Sequence, residues 1–248
     1  MYTLSVGAMF KNESPILKEW LDHYLFHGVE HFYLVNDDST DSFMEVLQPY
    51  LDKNQITLFN SHKFPYYCGR QKDSYNHFIL PHIKETKWLL MIDLDEYLWS
   101  PSHINLSKLL VEKFSHLAQI QINDLLFGSN GHIAQPSSIV NSFTRRETNA
   151  RCFKKYIVNS DYDFISLNIH HATTVDPIYM DGRYFQLFDH NYFILNHYSC
   201  QSKQYWDEIK CTRGDGDHYR TRTSDDFKLL DINEIEDLRL VEQNKPLF

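Results

Sequence analysis

An α/β fold is what this sequence predicts: a mainly parallel sheet with helices on both faces, continuous with a mixed sheet. Three observations carry the prediction. The first hundred residues alternate strand-like and helix-like runs, the pattern of a parallel sheet wrapped on both sides. The apolar run Trp88-Leu89-Leu90-Met91-Ile92 stops abruptly at Asp93, Asp95 and Glu96. A buried strand that ends in carboxylates delivers them to a sheet edge, where ligands of open α/β folds bind. Finally, no repeat and no Gly- or Pro-rich linker divides the chain. One unit over residues 1–248 is expected, with an alternating strand–helix half (1–100), a strand-rich half (101–214) and a helical tail (215–248).

Residues 3–10 read as a buried strand closed by the polar group Lys11-Asn12-Glu13. A helix follows, with Ser14 as N-cap, Pro15 in its first turn and Gly28 past its end. Leu17, Trp20, Leu21, Tyr24 and Leu25 repeat along it at helical spacing. The strand 31–36 runs into the polar cluster Asp37–Asp41, which can open a helix at 42–48 that Pro49 interrupts. Strand 55–60, a helix from about 70 to 80 and strand 88–93 complete the first half. Beyond it, 117–123, 138–145, 151–158, 163–169, 184–188 and 191–196 read as strands, and 202–211 and 226–243 as helices.

A hydrophobic content of 42% supports a packed core, and a net charge of -9 argues against a general nucleic-acid or anionic-membrane binder. A local basic pocket for a phosphorylated ligand remains compatible with that charge, from Arg70 and Lys72 or from Lys154 and Lys155. Cys68, Cys152, Cys200 and Cys211 show no metal-type spacing and read as free thiols of a reducing compartment. No basic leader and no long apolar segment is present, so a cytoplasmic location is the expectation.

Asp93 and Asp95 are the first candidates for chemistry. Alternate residues of an extended segment point the same way, so the pair can converge on one ion. Oxygen ligands of this kind suit Mg²⁺ or Mn²⁺, which bridge protein carboxylates to phosphates. Lys11, Asn12, Glu13 and Asp37 lie at neighbouring strand ends and so share a rim with them. Asp37, first past its strand, suits a nucleobase imide or a ribose hydroxyl, whereas Asp41 reads as a helix-start residue. There is no Gly-x-Gly-x-x-Gly and no Walker-type loop.

The ordered set Lys11-Asn12-Glu13, Glu19-Trp20-Leu21-Asp22-His23-Tyr24, Gly28-Val29 and Asn36-Asp37-Asp38-Ser39-Thr40-Asp41 resembles the family 2-like and family 92-like glycosyltransferases. The resemblance continues through Gln71, Asn76, Trp88, Ile92–Tyr97 and Phe127-Gly128-Ser129-Asn130-Gly131-His132, and ends at Asn196-His197-Tyr198, Ser202 and Arg213-Gly214. Gln201-Ser202 departs from a Lys-Ser pair common there, and Val158-Asn159-Ser160 from a proline-bearing segment.

What the resemblance implies is a GT-A fold, a nucleotide-sugar donor with UDP as the expected nucleotide, and Mn²⁺ or Mg²⁺ at the Asp-x-Asp. It implies transfer, with inversion, to a hydroxyl of an acceptor glycan. The missing membrane span makes a glycan or lipid-linked saccharide, reached from the cytoplasm or from the membrane's periphery, the expected acceptor. It adds His197 as a third metal contact beside Asp93 and Asp95, with the adjacent pair His170-His171 as the competitor. Phe10, Lys11, Asn12, Glu13, Asp37, Arg70, Gln71 and Asp93 would surround the nucleotide. Asp124, upstream of a segment expected near the acceptor, is the candidate general base, with Asp181 and Asp215 behind it. Trp99, Tyr205 and Trp206 are candidate sugar-stacking aromatics. A nucleotidyltransferase, or a sugar-binding module with a vestigial metal site, is the alternative.

Overall fold

The structure is a computed structural model describing residues 1–62, 69–176, 190–214 and 221–247, and the backbone of 185–188. Cys68, Asp181 and Asp215 lie outside the described residues.

The first half forms β1 (Tyr2–Phe10), α1 (Ser14–Phe26), β2 (His31–Asn36), α2 (Phe43–Leu51), β3 (Ile56–Asn60), α3 (Arg70–Ser74) and β4 (Thr86–Met91). Helix α3 runs on through a π turn, Tyr75–Ile79, and a 3₁₀ turn, Leu80–Glu85. Then come β5 (Glu96–Trp99), α4 (Leu106–Lys113), β6 (Gln119–Leu126), α5 (Ile139–Ser142), β7 (Arg145–Arg146), β8 (Lys154–Asn159), β9 (Phe164–Leu167), β10 (Ala172–Thr174), β11 (Phe185–Phe188) and β12 (Ile194–His197). Helix α6 begins at Lys203–Tyr205 and continues through Trp206–Lys210 to Cys211–Arg213. The chain closes with α7 (Ser224–Leu230), β13 (Ile235–Glu236) and α8 (Arg239–Asn244).

The main sheet has the order β3-β2-β1-β4-β8-β6-β12-β5, with β11 also on β6. β3, β2, β1 and β4 are parallel; β8 enters antiparallel between β4 and β6 and joins both halves in one sheet. The α/β class and the parallel-then-mixed sheet are as predicted.

Strand alternation sorts the core. Leu4, Val6, Ala8 and Phe10 face the apolar surfaces of α1, α2 and α4, while Met9 joins Tyr75, Phe78, Ile79 and Leu89 on the other face. Gly7 lets the π turn approach: a Cβ there would meet Met91 Sδ at 2.6 Å and Ile79 Cγ2 at 3.2 Å. Gly28, at φ +92°, takes the left-handed turn that ends α1, as expected from its position.

Several local expectations are corrected. Ser14 is not an N-cap; α1 starts at Ser14, and Asp41 reaches across to accept its N–H at 2.8 Å. Pro49 lies inside α2, where it and Glu45, whose carbonyl loses its helical donor, are both exposed to water. The 138–145 segment is a helical turn plus a two-residue strand, with Glu19 of α1 accepting from Ile139 N, Val140 N and Ser138 Oγ. The long C-terminal helix is two short helices around β13. Trp99, Tyr205 and Trp206 are core residues, 2%, 2% and 0% exposed, so none can stack on a sugar.

Candidate active site

The carboxyl ends of β1, β2 and β4 meet the end of β12 and helix α6 around a cleft of about 450 Å³. That is the size of a small-molecule site. Phe10, Lys11, Glu13, Asp37, Gln71, Asp93, Asp95 and His197 all line it. Asn12, Arg70 and Asp124 do not.

Asn12 is a loop lock. It sits at φ 53°, its N–H donates to Ser39 Oγ at 3.0 Å, and its Oδ1 accepts from Thr40 N at 2.7 Å. Arg70 lies behind the wall, 0% exposed, where its guanidinium pairs with Asp37 and donates to Ser61 Oγ at 2.9 Å. Ser61 Oγ also donates to Asp37 Oδ1 at 2.9 Å. One oxygen of Asp37 is thus held from behind by a guanidinium and a hydroxyl, and the residue presents to the cleft.

The acidic motif is not a strand end. β4 stops at Met91, and the chain turns through Asp93–Asp95 into β5, which was not foreseen. Glu96 closes the turn: its N–H donates to Asp93 O at 3.2 Å and its carboxylate accepts from Asp93 N at 3.0 Å. Strand alternation therefore cannot be what aims the two aspartates. They meet different cations. Asp93 Oδ2 pairs with Lys155 Nζ at 2.6 Å and Asp95 Oδ2 with Lys210 Nζ at 2.5 Å. Burial disfavours ionised Asp95, yet Lys210 and His197 hold its carboxyl well below the usual carboxylate range. Burial pushes Glu96 up to about 7 against the pull of Lys155.

Helix α1 holds this turn in place. Trp20 Nε1 donates to both Asp93 O and Glu96 O at 3.1 Å; Tyr24 Oη donates to Glu96 O at 3.0 Å and accepts from Leu98 N at 2.9 Å. Both side chains are fully buried. The Glu19–Tyr24 segment of the resemblance thus has a physical content: polar tips on apolar rings satisfy the backbone of the acidic turn.

Sheet register brings in the late residues. β12 pairs antiparallel with β5, setting His197 opposite Glu96 and next to Asp95; His197 Nε2 lies 3.7 Å from Asp95 Oδ1. β12 pairs parallel with β6, setting Asp124 opposite Leu195, two residues before His197 on the same face. Asp124 Oδ2 accepts from His197 Nδ1 at 2.8 Å, and its buried Oδ1 has no hydrogen-bond partner among the described residues. At 1% exposure, Asp124 stands behind His197 and not on the cleft wall where the sequence reading had put a base. It lies within β6, which runs to Leu126, past the expected end at 123. Burial would depress the His197 imidazolium, but Asp95 and Asp124 together push it up to about 10.

Among the described residues no three His, Cys, Asp or Glu side chains form a ready-made ion site. Two donors do converge, Asp95 Oδ1 and His197 Nε2. A histidine whose other nitrogen is held by a buried carboxylate has the usual support of a metal-ligating imidazole. With the imidazole neutral, these two atoms could hold a divalent cation that accepts both oxygen and nitrogen ligands. Asp93 is turned instead towards Lys155 and Gln71, whose Nε2 donates to Asp93 Oδ1 at 3.3 Å.

Lys210 and Arg213 were not singled out as cleft cations, although they stand i, i+3 in a helix that follows His197. Arg213 pairs with Glu13 at 2.7 Å and donates to Lys11 O at 2.9 Å, tying α6 to the tip of β1. His170 lines the cleft beside Phe153 and Ile169. Cys152, Cys200 and Cys211 are free thiols, as expected. No described helix is long and apolar enough to cross a membrane.

Comparison with known proteins finds relatives over most of the chain. The Glycosyltransferase family 92 model matches residues 1–235. A family 92 protein of Ricinus communis is 26% identical over 222 residues, 84% of this chain and 36% of the relative. One of Arabidopsis thaliana is 24% identical over 221 residues, again 84% of this chain and 36% of the relative. This chain thus spans about a third of the length of these relatives. The crystal structure of S. aureus TarS 1–349 in complex with UDP-GlcNAc covers 93% of this chain and 64% of that one, at 16% identity and a TM-score of 0.46. The match over nearly the whole sequence shows that the chain belongs to glycosyltransferase family 92.

Proposed function

We propose that this chain transfers a sugar from a UDP-sugar to a hydroxyl of a glycan or lipid-linked saccharide, with Mn²⁺ or Mg²⁺ and inversion at the anomeric carbon. The observation that carries the reading is the convergence on one cleft of a back-braced carboxylate, Asp37, and the Asp95–His197 pair. Asp37, anchored through Oδ1, accepts from the N3–H of uracil or from a ribose hydroxyl; cytosine has no such N–H. Asp95 and His197 hold the divalent cation, with Asp124 fixing the ring of His197. A cation bound there neutralises charge on the departing diphosphate. Lys210 and Arg213, on one side of α6, add fixed positive charge beside the same group. The acceptor hydroxyl enters from the side of Phe153 and His170.

The test is a thermal-shift screen of nucleoside diphosphates and UDP-sugars with and without Mn²⁺, run beside the Asp95→Asn variant. UDP with Mn²⁺ should stabilise the wild type by mass action, and Asp95→Asn should remove the metal-dependent part. Equal shifts by CDP and UDP, or a metal-independent shift, would overturn the donor assignment. Binding of UDP-sugars with no UDP release would favour the sugar-binding alternative.

A further inference from the structure

Displacement at an anomeric carbon needs a group that takes the proton of the incoming hydroxyl, within hydrogen-bond reach of it. With Asp124 buried behind His197, the carboxylates on the cleft wall among the described residues are Glu13, Asp37, Asp93 and Asp95. Each is engaged: Glu13 by Arg213 and the Tyr205 hydroxyl, Asp37 by Arg70 and Ser61, Asp93 by Lys155, and Asp95 by Lys210 and His197. A carboxylate held by a buried cation is a weaker proton acceptor.

His170 differs. It lies in the loop between β9 and β10, lines the cleft and is exposed. Its Nδ1 is 2.8 Å from Lys154 O. A carbonyl oxygen only accepts, so Nδ1 carries a proton, and in the neutral ring the lone pair is on Nε2. Among the described residues Nε2 has no partner. The loop is also pinned, which a proton acceptor needs for aim. Gln121 Nε2 donates to His170 O at 3.1 Å, Tyr156 Oη to Asn168 O at 2.6 Å, and Asn168 N to His171 O at 2.8 Å. Phe153, 59% exposed, sets its ring 6.3 Å from that of His170, and an exposed aromatic face on a cleft rim suits the apolar face of a sugar.

We propose that His170 is the general base of this site, a catalytic residue taking the acceptor's proton on Nε2, with Phe153 beside it as the acceptor platform. The proposal rests on the glycosyl-transfer reading. The acceptor oxygen bonds to the anomeric carbon as its proton passes to Nε2. The bond from that carbon to the diphosphate oxygen breaks, and its electron pair leaves with UDP. The imidazolium then returns the proton to water.

The experiment needs no known acceptor, since water can take the acceptor's place. UDP release from UDP-galactose, UDP-glucose and UDP-N-acetylglucosamine is measured with Mn²⁺ for wild type and His170→Ala, alone and with free imidazole. UDP affinity is measured on both by calorimetry. Because the side chain is exposed, the variant keeps its fold. The expected result is release slower by about 10²–10⁴-fold, the range for general-base catalysis, with UDP affinity unchanged and part of the rate restored by imidazole. Wild-type release by His170→Ala overturns the assignment. So does a loss matched by an equal loss of UDP affinity and untouched by imidazole. If the wild type binds UDP with Mn²⁺ but releases none from any donor, the glycosyl-transfer reading itself fails and the base falls with it.

Discussion

Replacing Asp124 by Asn separates two accounts of that residue. The carboxylate is 1% exposed and accepts a 2.8 Å hydrogen bond from an imidazole that it helps to keep charged. Hydrogen bonds to charged groups contribute about 1.5–3 kcal/mol. For a chain of this length each kcal/mol moves the melting temperature by about 2–4 °C, so the metal-free variant should melt about 3–12 °C lower. Loss of the supporting carboxylate also frees the ring, and such changes weaken metal binding by about 10–100-fold. Once Mn²⁺ and donor saturate, turnover should recover to near the wild-type value.

The pH dependence has a definite sign. His197 sits at about 10 in the fold against an ordinary 6.5, so the native state holds an extra proton. The stabilisation is complete below the ordinary value and is lost as pH rises through about 10. Metal-free protein should therefore lose stability across that window, less steeply in Asp124→Asn. Mn²⁺ affinity should rise across it, because a ligating Nε2 must shed its proton. Calorimetry with Mn²⁺ and UDP, together with turnover at saturation, decides the matter. Unchanged Mn²⁺ affinity with turnover down by about 10²–10⁴-fold would refute the positioning role and return Asp124 to the base position.

Two further substitutions probe the supports of the cleft. Asp37→Ala should weaken UDP by about 1–3 kcal/mol. It should also lower the melting temperature, because buried Arg70 loses its nearer carboxylate and keeps the more distant Asp38, at 3.6 Å; an unchanged melting temperature by scanning calorimetry would contradict the Asp37–Arg70 brace. Trp20→Phe keeps the ring but leaves two buried carbonyls, Asp93 O and Glu96 O, without the indole donor. A loss of about 1–3 kcal/mol in denaturant unfolding is expected, with weaker Mn²⁺-dependent UDP binding; wild-type values for both would show that α1 does not hold the acidic turn.

The sequence by itself determined the parallel half of the sheet. Its strands are short, mostly apolar runs, and its helices carry their own stops, such as Gly28. Those are local signals, and a local signal survives in one dimension. It also marked Asp37, Asp93, Asp95 and His197 as neighbours of one cleft, because polar tips of parallel strands share a rim and the resemblance linked the distant histidine to them. What it could not contain is register. Asp124 lies behind His197 because β6 and β12 pair parallel with Asp124 opposite Leu195, and His197 lies beside Asp95 because β12 pairs antiparallel with β5. Lys155 reaches Asp93 because antiparallel β8 sets Tyr156 opposite Met91, with Lys155 one step further. A shift of one residue in any of these pairings would turn the same side chain to the other face of the sheet. Which face it takes is decided by the packing of the whole sheet, so only the tertiary structure decided which residues stand beside Asp95, which hold the histidine, and which remain open on the cleft wall.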